Sequence, residues 1–208
     1  MKINYQLELD RLIAGLDTTP KILLHACCAP CSSYVLKYLS QHFNIDLFYY
    51  NPNTYPPEEY KKRGRELERL ITLMDFPNPV GMVPAIYDPE RFYRAVTGQE
   101  KEREGGARCA TCFRVRLEET AKQALASGYD YFATTLTVSP HKNAQLINQI
   151  GLELEREYGV KYLISDFKKR EGYKQSIELS AKYNLYRQVY CGCEYSLEYN
   201  LSNKETRS

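Results

Sequence analysis

Short apolar segments alternate with amphipathic ones along this chain, and that alternation constrains the fold more than any motif does. "KILLHA" (21–26), "IDLFYYN" (45–51), "YFATTLT" (131–137) and "VKYLIS" (160–165) have the length and β-branched or aromatic content of buried strands. Helical patterns lie between them: "SSYVLKYLSQHF" (32–43), "PEEYKKRGRELERLITLM" (57–74), "CFRVRLEETAKQALASG" (112–128) and "HKNAQLINQIGLELEREYG" (141–159). Pro57 suits a first helical turn, and Gly128 and Gly159 suit helix stops. Strand and helix in turn predict an α/β protein with a parallel sheet and helices on both faces. The 208 residues suit a single domain, 1–208, with no repeat or long linker. The charged, glycine-containing stretch 98–110 reads as an exposed mobile loop.

In an open α/β sheet, ligands bind beyond the carboxyl ends of the strands. There this chain carries sulfur instead of a glycine loop: Cys27, Cys28 and Cys31 follow the first strand in "HACCAPC". Cys109 and Cys112, in "CATC", open another helix, and Cys191 and Cys193 flank one glycine in "YCGCEYS". The N-terminus lacks the apolar core of a signal peptide, and no apolar run reaches the ~20 residues of a membrane helix. A cytoplasmic location without membrane attachment follows as the expectation. Thiols stay reduced there, so the 7 cysteines point to metal binding or catalysis rather than to a disulfide framework.

Spacing leaves two metal readings open. Cys28, Cys31, Cys109 and Cys112 form two CxxC pairs that could hold structural zinc, although their separation far exceeds the ~15–20 residues of compact zinc modules. A [4Fe–4S] cluster also needs four thiolates and can draw them from distant segments. A bond between Cys191 and Cys193 would close a very small, readily reduced ring. Such a redox element fits an electron-transfer cluster better than redox-inert zinc. Neither GxGxxG nor GxxxxGK[ST] occurs, so a nucleotide-dependent activity has no support.

Taken in order, "HACCAPC", "RCATCFRVRLEETA", "TTLTVSPHKN", "SDFKKREGY" and "YRQVYCGCEYS" resemble the QueH type of epoxyqueuosine reductase through nearly the whole chain. The resemblance implies a HUP-like (adenine-nucleotide α-hydrolase-like) sheet and an oxidoreductase that converts epoxyqueuosine to queuosine at the wobble position of tRNA, the last step of queuosine biosynthesis. It also implies a [4Fe–4S] cluster on Cys27, Cys28, Cys109 and Cys112 and a redox-active pair at Cys191 and Cys193, with an electron donor as a further partner. Cys31 is a thiol the pattern leaves without a duty. A second, mononuclear iron would use it, with Asp46 or Asp166 as further candidate ligands. The alternative from another class is a zinc-stabilised tRNA-binding module without catalysis. A thiolation-type tRNA enzyme of the same fold would need an ATP loop where "HACCAPC" stands.

Substrate contacts are expected at the same sheet edge. Ser139, His141, Lys142 and Asn143 suit tRNA phosphate, with His141 an alternative proton donor to the opening epoxide. A helix cap with a solvated lysine explains the same residues. Lys168, Lys169, Arg170 and Lys174 form a basic cluster in a chain whose net charge is only +2, and are expected to meet phosphate. Of the 19 tyrosines, Tyr55, Tyr87 and Tyr190 lie in or beside loops and are candidates for base stacking.

Overall fold

A computed structural model describes residues 3–205. Five parallel strands form one sheet in the order β3-β2-β1-β4-β5: β1 Lys21–His25, β2 Asn44–Phe48, β3 Val80–Val83, β4 Tyr131–Thr134 and β5 Lys161–Tyr162. This is the α/β arrangement expected from the alternation, and it is consistent with the HUP-like sheet that the resemblance implies. The helices are α1 Tyr5–Ala14, α2 Ala29–Leu39, α3 Pro57–Leu73, α4 Pro89–Ala95, α5 Ala107–Ala126, α6 Ala144–Tyr158, α7 Gly172–Lys182 and α8 Glu194–Glu205. Among the described residues none is long and apolar enough to cross a membrane.

Central β1 shows why both sheet faces are covered. Side chains alternate along a strand, so Ile22 and Leu24 enter one core and Leu23 the other. The first core joins Val35, Leu36 and Leu39 of α2 to Leu67 and Leu70 of α3, while the second joins Leu117 and Ala121 of α5 to Ile147 and Leu154 of α6. With neighbours on both sides, β1 pairs Leu24 with Leu47 of β2 and with Ala133 of β4. Its carboxyl end therefore opens at the centre of the sheet edge.

Several elements differ from the sequence expectation. "YFATTLT" pairs only as far as Thr134, whose hydroxyl accepts the Leu136 N–H and turns the chain into a 3-10 turn, Thr135–Val138. "VKYLIS" contributes just Lys161 and Tyr162 to the ladder. Helix α5 begins at Ala107, so Cys109 and Cys112 sit inside the helix and the preceding loop ends at Gly106. The edge strand β3 and helices α1, α4, α7 and α8 are further elements.

Candidate active site

The first thiol group is built by the sheet itself. Beyond His25, the Ala26 N–H still donates to the Phe48 carbonyl at 3.0 Å, and Asn51 Nδ2 donates to the Ala26 carbonyl at 2.8 Å. The chain then turns at Cys28, the N-cap of α2, and Cys31 follows in the first helical turn. One turn of helix thereby brings Cys31 back over the adjacent pair. The three sulfurs lie within 4.8 Å of one another, with Cys27 and Cys28 Sγ 3.8 Å apart. Thiol donation from Cys28 and then Cys31 holds Cys27 well below the ordinary thiol range, and burial only partly opposes this. Donating to Cys27 pushes Cys28 up to about 11, and Cys31 is raised by the same sharing. Three soft donors at this separation fit a thiophilic metal ion.

The other thiols, from two further segments, line two cavities that share Cys191. A cavity of about 520 Å³ is lined by Cys27, Cys31 and Cys191, and a smaller one of about 90 Å³ by Cys109, Cys112, Cys191 and Cys193. Cys191, Arg116, His141 and Lys142 border both. Cys109 Sγ accepts the Gly105 N–H at 3.2 Å. Burial pushes Cys112 up to about 11, and burial with the neighbouring Cys191 pushes Cys193 up to about 12. Cys193 packs with Cys112 against Phe92 and Val96. All seven cysteines are free thiols.

Side chains outside the sequence expectation hold this arrangement. Arg116, 3% exposed, donates from Nη2 to Asn51 Oδ1 at 2.7 Å and from Nε to His25 Nε2 at 3.3 Å, while Nη1 lies 3.8 Å from Cys112 Sγ. Burial, reinforced by Arg116, lowers the fully buried His25 to about 3, so its imidazole is neutral. Arg63 of α3, 2% exposed, donates from Nη1 to the Cys191 carbonyl at 3.0 Å and pairs with Glu59 at 2.8 Å. Gln188 Nε2 donates to Cys28 Sγ at 3.0 Å. The i,i+4 spacing of Cys112 and Arg116 is the one sequence signal for this group, since it puts guanidinium and thiol on a common helix face.

The expected substrate residues divide. Ser139, His141 and Lys142 line the larger cavity; Asn143 borders the smaller one, where it caps α6 by accepting from Gln145 and Leu146 N–H. Lys142 is half-buried; burial disfavours its ammonium, but charge on Cys191, Cys27 and Cys31 outweighs that and raises its pKa. Lys168, Lys169 and Arg170 line neither cavity. Lys168 pairs with Asp166 at 2.8 Å, Arg170 with Asp10, and Lys174 with Glu171 at 3.4 Å, whereas Lys169 has no carboxylate partner among the described residues. Asp46 accepts from the Tyr129 hydroxyl at 2.9 Å, and neither it nor Asp166 reaches either cavity. Tyr190 lines the larger cavity and donates to the Tyr55 carbonyl, whereas Tyr87 donates to the Thr54 carbonyl at 2.6 Å and stacks on Tyr60.

A family model described as epoxyqueuosine reductase QueH matches residues 22–199. The chain is 43% identical over 221 aligned residues to epoxyqueuosine reductase QueH of Staphylococcus epidermidis, covering 100% of this chain and 92% of that protein. The Streptococcus pyogenes protein of that name is 43% identical, over 94% of this chain and 78% of its own length. That of Thermotoga maritima is 35% identical, over 85% and 90%.

Proposed function

The chain belongs to the epoxyqueuosine reductase QueH family, and from that premise we propose that it reduces epoxyqueuosine in tRNA to queuosine at this sulfur-lined edge of the sheet. The observation that carries the reading is the convergence of thiols from three separate segments on two adjoining cavities. On this reading Cys27, Cys28, Cys109 and Cys112 hold a [4Fe–4S] cluster. When bound, such a cluster supplies electrons singly. A second, mononuclear iron would draw on Cys31, since Asp46 and Asp166 are engaged elsewhere.

Cys191 and Cys193 supply what the overall reaction consumes. Deoxygenating an epoxide breaks two C–O bonds, forms an alkene and releases water, which takes two electrons and two protons. Oxidation of the dithiol forms one S–S bond and releases two electrons and two protons, so epoxide plus dithiol balances alkene, water and disulfide. An external reductant then restores the thiols. Cys191 borders both cavities, which supports a role between cluster and substrate. His141 serves as proton donor to the departing oxygen, on the support that it borders the same two cavities. Ser139 and Asn143 orient the nucleotide, and Tyr190 offers a ring at the cavity wall. Of the basic cluster, Lys169 remains for phosphate, while Lys168 and Arg170 contribute through the surface they form with their acidic partners.

Anaerobically purified protein tests this directly. Iron and sulfide in stoichiometric amounts, broad absorption near ~400 nm, and conversion of epoxyqueuosine-containing tRNA to queuosine-containing tRNA are expected. Zinc without sulfide, together with tRNA binding but no conversion, would replace the reductase by a zinc-stabilised tRNA-binding module.

A further inference from the structure

We propose that Arg116 and Lys142 are positioning residues whose fixed positive charges hold the iron–sulfur centre and set its reduction potential. The inference rests on the cluster reading above. Arg116 is 3% exposed, and among the described residues no carboxylate pairs with it. Its polar partners are Asn51 Oδ1, His25 Nε2 and Cys112 Sγ. Lys142 is likewise without a carboxylate partner among the described residues. A buried guanidinium without an anion is costly, and proteins tolerate one only where a counter-charge is supplied.

Both cations border both cavities, so a counter-charge lying between the thiol groups would meet both. Among the described residues Glu104 is the only carboxylate lining either cavity; it is an exposed residue and its Oε2 accepts from Ser196 Oγ at 3.3 Å. It cannot neutralise a guanidinium that contacts Cys112, Asn51 and His25 instead. Little of Arg116 is left for a solvent phosphate, since the residue is 3% exposed and its Nε and Nη2 already donate to His25 Nε2 and Asn51 Oδ1. An anionic group among the thiols remains. Four thiolates around a doubly positive four-iron core leave two negative charges, which these two cations match. One-electron reduction adds a third negative charge. Fixed positive charge in a water-poor site favours the reduced form and raises its potential.

The test is a redox titration of the full-length protein, followed by visible absorbance, after iron and sulfide have been counted. Arg116→Gln and Lys142→Gln should each move the midpoint to more negative potential. The expected shift is at least tenfold in the reduction equilibrium, ~59 mV for a one-electron couple. Arg116→Lys, which keeps the charge and loses the fork, should stay within that interval of the parent. A full cluster with an unmoved midpoint in Arg116→Gln overturns the proposal. If that variant does not fold by circular dichroism, an unmoved midpoint in Lys142→Gln overturns it alone. Weakened tRNA binding by Lys142→Gln at unchanged midpoint would make Lys142 a phosphate contact and overturn it as well. A parent protein without an iron–sulfur centre removes both this proposal and the reading beneath it, whereas a loaded parent with unmoved variants removes this one only.

Discussion

The stretches Cys27–Cys31 and Cys191–Cys193 carry the same functional group on opposite kinds of support. The first continues the central strand into a helix: Ala26 still pairs with Phe48, and Ser32 N–H closes on the Cys28 carbonyl at 3.1 Å. The second belongs to no strand or helix until α8 begins at Glu194. Side chains and single backbone bonds fasten it: Arg63 to the Cys191 carbonyl at 3.0 Å, Tyr55 N–H to the Gly192 carbonyl at 2.8 Å, and Cys191 N–H to Ser196 Oγ at 3.1 Å. A support made of sheet and helix keeps sulfur positions constant while charge changes. A support of separate tethers lets sulfur–sulfur bonding alter the local backbone without disturbing the core. On the proposed reading, similar thiols divide into a holding set and a reacting set by what lies behind them.

The largest effect should come from the rigid side. Cys27→Ser replaces a soft sulfur by a hard oxygen, and iron, sulfide and turnover should all fall to background. Full iron content in that variant would erase the distinction between the two stretches. Next, the double variant Cys191→Ser/Cys193→Ser should keep its iron and visible spectrum yet lose turnover. Coupled loss of metal there would show that the tethered pair holds metal too.

Smaller effects should follow from the tethers. Arg63→Ala takes the counter-charge from Glu59, whose side chain is 11% exposed and keeps only the Tyr186 hydroxyl as donor, and removes the anchor of the Cys191 carbonyl. About 3–5 kcal/mol of stability should be lost, measurable by denaturant unfolding, together with faster alkylation of Cys191. Gly192 has φ +143, and an added Cβ would lie 3.0 Å from Arg63 Nη1. Gly192→Ala should therefore cost about 1–3 kcal/mol, confined to this segment, with iron content intact and turnover reduced. The smallest change is expected outside both stretches. Lys169→Gln should alter stability by less than ~0.5 kcal/mol and lower the salt dependence of tRNA binding by about one unit of slope; an unchanged slope would place Lys169 off the RNA.

Alternating segments made the parallel sheet and its two cores legible, because a strand buried on both faces needs an unbroken apolar run. The edge strand "VGMV" was hidden because it is only 4 residues long, contains a glycine, lies between Pro79 and Pro84, and is only partly buried. Gly81 is there because a Cβ would sit 2.4 Å from Asp46 Oδ1. Thiol spacing exposed every sulfur in the site. The partners of those sulfurs were harder to see, since neighbouring arginines on α5 have opposite fates. Arg114 meets Glu153 and Glu157 at the surface, whereas Arg116, half a turn on, is sealed beneath the sulfurs. Only the rotation of the helix against the sheet separates them. The pairing within the basic run 168–170 was hidden for a related reason. Its acidic partners Asp166 and Asp10 include one more than 150 positions away, so local charge counting could not register the pairing.

The order of the three sulfur-bearing segments along the chain also sets an order of assembly. Domains form from the N-terminal side during synthesis, and here the first and middle thiol segments precede the tethered one. Strands β1 and β4 and helix α5 can meet before Tyr190 and Cys191 arrive to complete the cavity walls. The nascent protein thus passes through a stage in which the Cys27–Cys31 and Cys109–Cys112 segments are present without the Cys191 wall. The finishing segment then adds Cys191 to the walls of both cavities.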